Sequence, residues 1–220
     1  MNYEHQWRDG GKVDWPLGKV VCVGRNYAEH AAELNNAVPD QPLLFIKPAT
    51  AVVPLTDPIR LPEGQGAVHY EAELAVLIGK PLRHASESAI RDAVAGIGLA
   101  LDLTLRDLQS ELKAKGHPWE RAKAFDGACP LSVFVPLHRG DDFGKLSFSL
   151  TIDGETRQRG HTGNMITPVL TLIAYASETF SLRPGDVVLT GTPAGVGALH
   201  SGQRLELELD GRLHVETSVE

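Results

Sequence analysis

The sequence predicts an α+β domain that is mainly β, and three observations carry that reading. Two segments alternate apolar and polar residues on either side of an Asp-Gly pair, several short apolar runs are rich in β-branched residues, and the helical patterns are short and scattered. A doubly wound fold would instead alternate strand and helix regularly.

In chain order, Lys19–Val23 reads as a buried strand, helical periodicity follows over Tyr27–Asn36, and Leu43–Ile46 is a second buried run. Leu74–Ile78 is a third. Helical patterns return at Ser86–Val94, Thr104–Lys115 and Pro168–Ser177, where Ser86 and Thr104 offer capping hydroxyls and Pro168 suits a first turn. Between them Leu146–Ile152 alternates apolar and polar residues, Asp153-Gly154 supplies the positive backbone angles of a tight turn, and Glu155–Gln158 returns. Val187–Thr190 is a fourth buried run, and Arg204–Leu209, Asp210-Gly211 and Arg212–Thr217 repeat the hairpin grammar. Each hairpin is expected to keep one wet face.

The 220 residues fit one domain, residues 1–220, with 1–17 as an N-terminal extension. No apolar run approaches the roughly 20 residues needed to cross a bilayer. Lys and Arg number 21 against 28 Asp and Glu, a net charge of −7 with no basic tract, so neither membrane nor nucleic acid is an expected partner. Met1–Trp15 lacks the apolar core of a signal peptide, which makes a cytoplasmic location the expectation. Cys22 and Cys129 lie far apart and outside any Cys-x-x-Cys spacing; they read as buried, inert thiols.

In His69-Tyr-Glu-Ala-Glu-Leu-Ala-Val76, Glu71 and Glu73 stand two apart at the mouth of an apolar strand, so strand periodicity puts both carboxylates on one face. Two ionised acids there are costly unless a cation compensates. Asp102 ends the run Ala95–Leu101, in which Gly96 and Gly98 suggest close backbone approach. An all-oxygen triad favours a hard ion, Mg²⁺ with Mn²⁺ or Ca²⁺ as alternatives, over zinc. The same spacing also fits a solvated edge strand with Asp102 capping the next helix, and spacing alone does not separate the two.

His30 and Glu33 are i and i+3 on one helical face, where the carboxylate can orient an imidazole acting as general base. A surface ion pair is the commoner outcome of that spacing. Lys123, among Trp119, Ala122 and Phe125, could carry its ammonium to a carboxylate or a developing enolate, although most lysines are simply solvated. Lys47 closes a buried strand before Pro48, which calls for a partner carboxylate or an anionic ligand. The glycine-rich stretch Thr190–Gly197 could form a backbone anion nest, but it lacks the ending of a nucleotide P-loop. There is no Gly-x-Ser-x-Gly elbow either.

Six ordered stretches, Val21–His30, Leu44–Pro48, His69–Val76, Ala100–Asp107, Lys123–Asp126 and Leu189–Gly197, together make the sequence resemble the fumarylacetoacetate hydrolase family. The likeness is to its short acylpyruvase and oxaloacetate-handling branch. That resemblance implies a mixed β-roll or sandwich with short peripheral helices, a homodimer, and Mg²⁺ or Mn²⁺ at Glu71, Glu73 and Asp102. It also implies that His30 and Glu33 form a water-activating dyad on a lid helix, that Lys123 supports transition-state charge, and that Arg25, Lys47, Gln109 and Thr192 line the substrate pocket. The substrate is then a small 2-oxo acid, and the shared intermediate an enolate. Acylpyruvate hydrolysis or oxaloacetate decarboxylation is the leading expectation. Oxaloacetate keto–enol tautomerisation, an isomerisation in aromatic-acid breakdown, and a non-catalytic binding protein are the alternatives.

Overall fold

Strands whose two faces are both covered read as continuous apolar runs, and that is how most of this chain is arranged. The computed structural model describes residues 3–34, 37–138 and 140–220. The first strands are β1 (Lys19–Gly24), β2 (Leu43–Pro48), β3 (Val52–Pro54), β4 (Val68–Tyr70) and β5 (Ala72–Ile78). After them come β6 (Val94–Leu101), β7 (Thr104–Leu105), β8 (Cys129–Leu131), β9 (Val135–Pro136), β10 (Ser147–Ile152) and β11 (Glu155–His161). The last are β12 (Val187–Leu189), β13 (Gly197–Ala198), β14 (Arg204–Leu209) and β15 (Leu213–Ser218). One large sheet runs β2-β1-β12-β5-β6-β8-β3, with β9 also on β6. Its pairings are antiparallel except β1 with β12 and β3 with β8.

Alternation sorts the side chains of this sheet into two cores. Val21, Val23, Leu74, Val76 and Ile78 enter the main core, while Val20, Cys22, Ala75, Leu77 and Val187 enter the second. The main core is closed by the sheet β11-β10-β14-β15, in which β10 lies against β5 and β14 against β6. Leu205, Leu207 and Leu209 point inward while Glu206 and Glu208 stay exposed, so this layer has the wet face its alternation predicts. The second core is covered by the N-terminal segment through Tyr3, Trp7, Val13 and Leu17, and Trp7 bridges to Phe134. A Cβ at Gly96 would stand 2.8 Å from both the Trp7 ring and the Val135 carbonyl oxygen, so glycine there admits the covering segment. The extension is therefore packed onto the sheet.

The helices are α1 (Ala28–Glu33), α2 (Glu87–Ala93), α3 (Arg106–Ala114), α4 (Glu120–Lys123) and α5 (Val169–Thr179). The expected helix Tyr27–Asn36 is thus shorter, and its last two positions lie outside the described residues. Ser86 caps α2, its hydroxyl accepting the Ala89 N–H at 3.4 Å. Thr104 does not cap α3. Thr104 pairs with His69 in β7, its hydroxyl donates to the Asp102 carbonyl at 3.0 Å, and the helix starts two residues later than its periodicity suggests. The four-residue α4 was not legible as a helix. Among the described residues no helix is long and apolar enough to cross a membrane.

The third sheet, β13-β4-β7, positions the acids. β4 continues into β5 through Glu71, and β6 continues into β7 through Asp102 and Leu103. The paired strands thus leave the large sheet and enter the small one at these two acids, where the Asp102 N–H donates to the Glu71 carbonyl at 2.8 Å.

Candidate active site

Glu71, Glu73 and Asp102 converge at that junction. One oxygen from each lies within 4.8 Å of the others, and all three residues are buried. That span is on the scale of one ion's coordination sphere, in which opposite oxygens about Mg²⁺ stand about 4.2 Å apart. The donors are all carboxylate oxygens, the chemistry of a hard divalent cation. Asp102 Oδ1 is buried without a hydrogen bond, although Lys47 Nζ lies 2.8 Å from it as an ion pair. Burial, reinforced by Asp102 and Glu71, pushes the Glu73 carboxyl well above the usual carboxylate range, and the Gly191 N–H, donating to it at 2.6 Å, only partly opposes this. Burial acts the same way on Glu71, but Lys123, Arg106 and His30 outweigh it and hold that carboxyl below its ordinary value. The residues present fit a divalent ion: a third acid crowded by two others lacks only positive charge.

Three cations surround the acids. Lys123 Nζ donates to Glu71 Oε2 at 2.8 Å and to Asp102 Oδ2 at 2.6 Å, with the Phe45 ring centroid 5.1 Å away. Burial opposes its charge, yet Asp102 and Glu71 prevail and raise its pKa above the ordinary lysine value. Arg106 Nη2 pairs with Glu71 Oε1, and its Nη1 donates to Gln109 Oε1 at 2.7 Å, the i and i+3 geometry of the first turn of α3. Lys47 is the third cation, and its place corrects an expectation. It does not line the cleft with the other pocket residues but lies fully buried beneath Asp102, donating also to the Leu103, Lys123 and Ala128 carbonyls. Its β2 position points it into the protein, where the partner carboxylate its burial demanded is Asp102 itself.

Above the acids opens a small cleft whose walls include Arg25, His30, Gln109, Lys113, Trp119 and Thr192. His30 Nδ1 lies 3.4 Å from Glu33 Oε2 on α1. Burial holds the imidazole below its ordinary pKa against the opposing pull of Glu71 and Glu33, and Nδ1 is the ring nitrogen that faces Glu33. Two amides of the Thr190–Gly197 loop donate to the protein's own carboxyl groups. Gly191 N–H holds Glu73, and Gly195 N–H reaches both oxygens of Glu33 at 3.1 and 3.2 Å.

Arg25, Gln109 and Thr192 therefore meet in one cleft with Glu71, Glu73, His30 and Lys123, while Lys47 and Asp102 lie beneath it. Sequence reasoning passed over Arg106, Asn26 and Gln158. Asn26 ties α1's approach to the glycine loop by donating to the Thr190 and Thr167 carbonyls at 2.8 and 3.0 Å. Gln158 fixes the loop from the other side, accepting from Ala72 N–H at 2.9 Å and donating to Thr192 Oγ1 at 2.8 Å. Arg106 had a signal, its spacing three before Gln109; the other two had none beyond being polar.

The Fumarylacetoacetate (FAA) hydrolase C-terminal family pattern matches residues 19–220. Oxaloacetate tautomerase YcgM of Escherichia coli is 53% identical over 212 residues, covering 96% of this chain and 96% of that protein. Mitochondrial oxaloacetate tautomerase FAHD1 of Homo sapiens is 44% identical over 207 residues, 94% of each chain. The crystal structure of fumarylpyruvate hydrolase from Pseudomonas aeruginosa, in complex with Mn²⁺ and pyruvate, matches with a TM-score of 0.92 at 38% identity, covering 99% of this chain and 95% of the other. Matched along nearly its whole length in both sequence and fold, the chain belongs to the fumarylacetoacetate hydrolase family.

Proposed function

We propose that the protein is a divalent-metal-dependent enzyme acting on small 2-oxo acids through an enolate, with proton transfer at C3 of oxaloacetate as its leading reaction. The observation that carries this reading is a buried carboxylate triad, two of whose acids, Glu71 and Glu73, line the same cleft as His30. Relatives named oxaloacetate tautomerase, at 53% and 44% identity, bring tautomerisation ahead of the hydrolysis that the dyad alone suggested.

Glu71, Glu73 and Asp102 would hold Mg²⁺ or Mn²⁺, which supplies Lewis-acid polarisation of the substrate's 2-oxo group. His30 then takes the C3 proton on Nε2, because Nδ1 faces Glu33, whose carboxylate stabilises the imidazolium formed. Lys123 and Arg106 keep positive charge beside the oxygen on which the enolate charge develops. Delivery of that proton to the enolate oxygen gives the enol, and the same steps in reverse return the enol to the keto form. A second reading, hydrolysis of an acylpyruvate, is favoured by the same His30–Glu33 pair, which can deliver water to a distal carbonyl, and by the likeness to a fumarylpyruvate hydrolase. A homodimer built from single catalytic units of residues 1–220 is the assembly the family likeness suggests.

One panel tests the reading: keto-oxaloacetate, enol-oxaloacetate and acetylpyruvate, each with Mg²⁺, with Mn²⁺ and after chelation, following tautomer ratio, carbon dioxide and pyruvate separately. Activity should vanish on chelation and return with either ion. Glu71→Ala should weaken ion binding at least tenfold, and a variant binding Mg²⁺ as tightly as the parent would remove the triad from the mechanism.

A further inference from the structure

Among the described residues four buried side-chain atoms have no hydrogen-bond partner: the Tyr27 hydroxyl, His69 Nδ1, Asp102 Oδ1 and Arg106 Nε. Buried polar atoms are satisfied almost everywhere in folded proteins, so each exception calls for an explanation. Asp102 Oδ1 faces Lys47 and belongs to the acid triad. His69 and Arg106 form a complementary pair: Nδ1 of a neutral imidazole can accept, and Nε of a guanidinium can only donate.

Strand register brings these two side chains together. The Asp102 N–H donates to the Glu71 carbonyl, His69 lies opposite Thr104, and the Arg106 N–H continues the ladder to the Ala67 carbonyl at 3.2 Å. Val68, Tyr70, Leu103 and Leu105 turn into the main core, so alternation puts His69, Glu71, Asp102, Thr104 and Arg106 on the other face of this ribbon. Arg106 stands level with Ala67, four residues from Glu71 or about 13 Å along a strand. Its Nη2 nevertheless pairs with Glu71 Oε1, so the side chain crosses the level of His69 and Thr104 with Nε behind the guanidinium tip. Thr104 spends its hydroxyl proton on the Asp102 carbonyl. After burial, Arg106 is the group that most lowers the His69 pKa, as a guanidinium close to the ring does.

We propose that His69 is a positioning residue for Arg106, its Nδ1 accepting the Arg106 Nε–H. With Nη2 on Glu71 and Nη1 on Gln109, a third bond at Nε fixes the plane of the guanidinium fork. His69 is absent from the cleft walls, so it acts through Arg106 and not on substrate. The catalytic consequence rests on the reading of Arg106 as charge held beside the enolate oxygen.

Long-range proton–nitrogen NMR of the parent, ion-free and Mg²⁺-loaded, should find the His69 proton on Nε2 and Nδ1 bare. It should also find a slowly exchanging Arg106 Nε–H, assigned by its loss in Arg106→Lys. His69→Leu should speed that exchange at least about tenfold and lower kcat for oxaloacetate enolisation about tenfold, with Mg²⁺ affinity kept within about twofold. His69→Asn, whose Oδ1 takes the place of Nδ1, should restore both to within about threefold, whereas His69→Gln, whose amide reaches the place of Nε2, should not. β4 is paired on both edges, by β13 and β7, so these variants change a side chain within a held strand. A proton on Nδ1 in the parent overturns the assignment, as do asparagine and leucine variants that behave alike. A parent that enolises no oxaloacetate would sink the enolate reading instead, and the exchange of the Arg106 Nε–H would still decide the pair.

Discussion

Lys47 has no exposed surface; Asp102 Oδ1 stands 2.8 Å from its Nζ and three backbone carbonyls accept from the same group. Removing one member of a buried pair leaves the other as an uncompensated charge, at about 3–5 kcal/mol. Lys47→Met should therefore lower unfolding free energy in urea, by less than that amount because Lys123 also donates to Asp102 at 2.6 Å; equal stability would mean that Lys123 alone compensates Asp102. His30 is a different kind of residue, since its ring faces the cleft and among the described residues its hydrogen-bond partner is Glu33. His30→Ala should remove turnover by at least about a hundredfold while Mg²⁺ affinity stays nearly unchanged. Parallel loss of both would make the histidine part of the ion site. His30 and Glu33 were legible because helical spacing alone joins them; Lys47 was legible as an oddity, but whether it faced ligand or protein depended on the direction of β2.

Among elements, the glycine loop after β12 couples the acids to the dyad. Gly191 and Gly195 have φ of 94° and 98°, and each is pressed from outside, Gly191 by Asn26 and Gly195 by the Arg157 carbonyl. A Cβ at Gly195 would both clash and oppose the backbone angle, and the amide that holds Glu33 would move. Gly195→Ala should cost about 1–3 kcal/mol of stability. It should also lower kcat while sparing ion affinity, because Glu73 is held by Gly191. Stability from denaturant curves and affinity from calorimetry separate the two, and a variant with parental kcat would deny the loop any part in placing Glu33. The stretch read from sequence as a possible backbone anion nest; two of its amides, at Gly191 and Gly195, are taken by the carboxyl groups of Glu73 and Glu33, residues more than a hundred positions away.

At the scale of the whole molecule, the N-terminal segment seals the second core, and His5 fastens it through a 2.8 Å hydrogen bond between Nε2 and the Gly185 carbonyl oxygen. Burial lowers the His5 pKa, with the Gly185 bond and Asp186 acting the other way. The unfolded chain binds a proton at about pH 6.5 that the folded one refuses. Stability from this group is thus fully present above about pH 6.5 and declines as pH falls toward the lower folded value. Acid titration should loosen the segment, reported by Trp7 and Trp15 fluorescence, and His5→Gln should flatten the dependence below about pH 6.5. An equally steep variant would assign the acid sensitivity elsewhere.

The sequence by itself determined the strand-rich class, both Asp-Gly hairpins, the buried runs, and the candidate acids and dyad, because each is written in local periodicity or in a short ordered motif. Only the tertiary structure decided that Glu71 and Asp102 mark the passage from one sheet to another and that Lys47 lies beneath them. The same holds for Arg25 and Lys113, which bring charge from β1's end and α3 to one cleft. Those facts depend on register and crossover between distant segments, where side-chain direction is set by which face of a sheet is already covered, and no window along the chain contains that information.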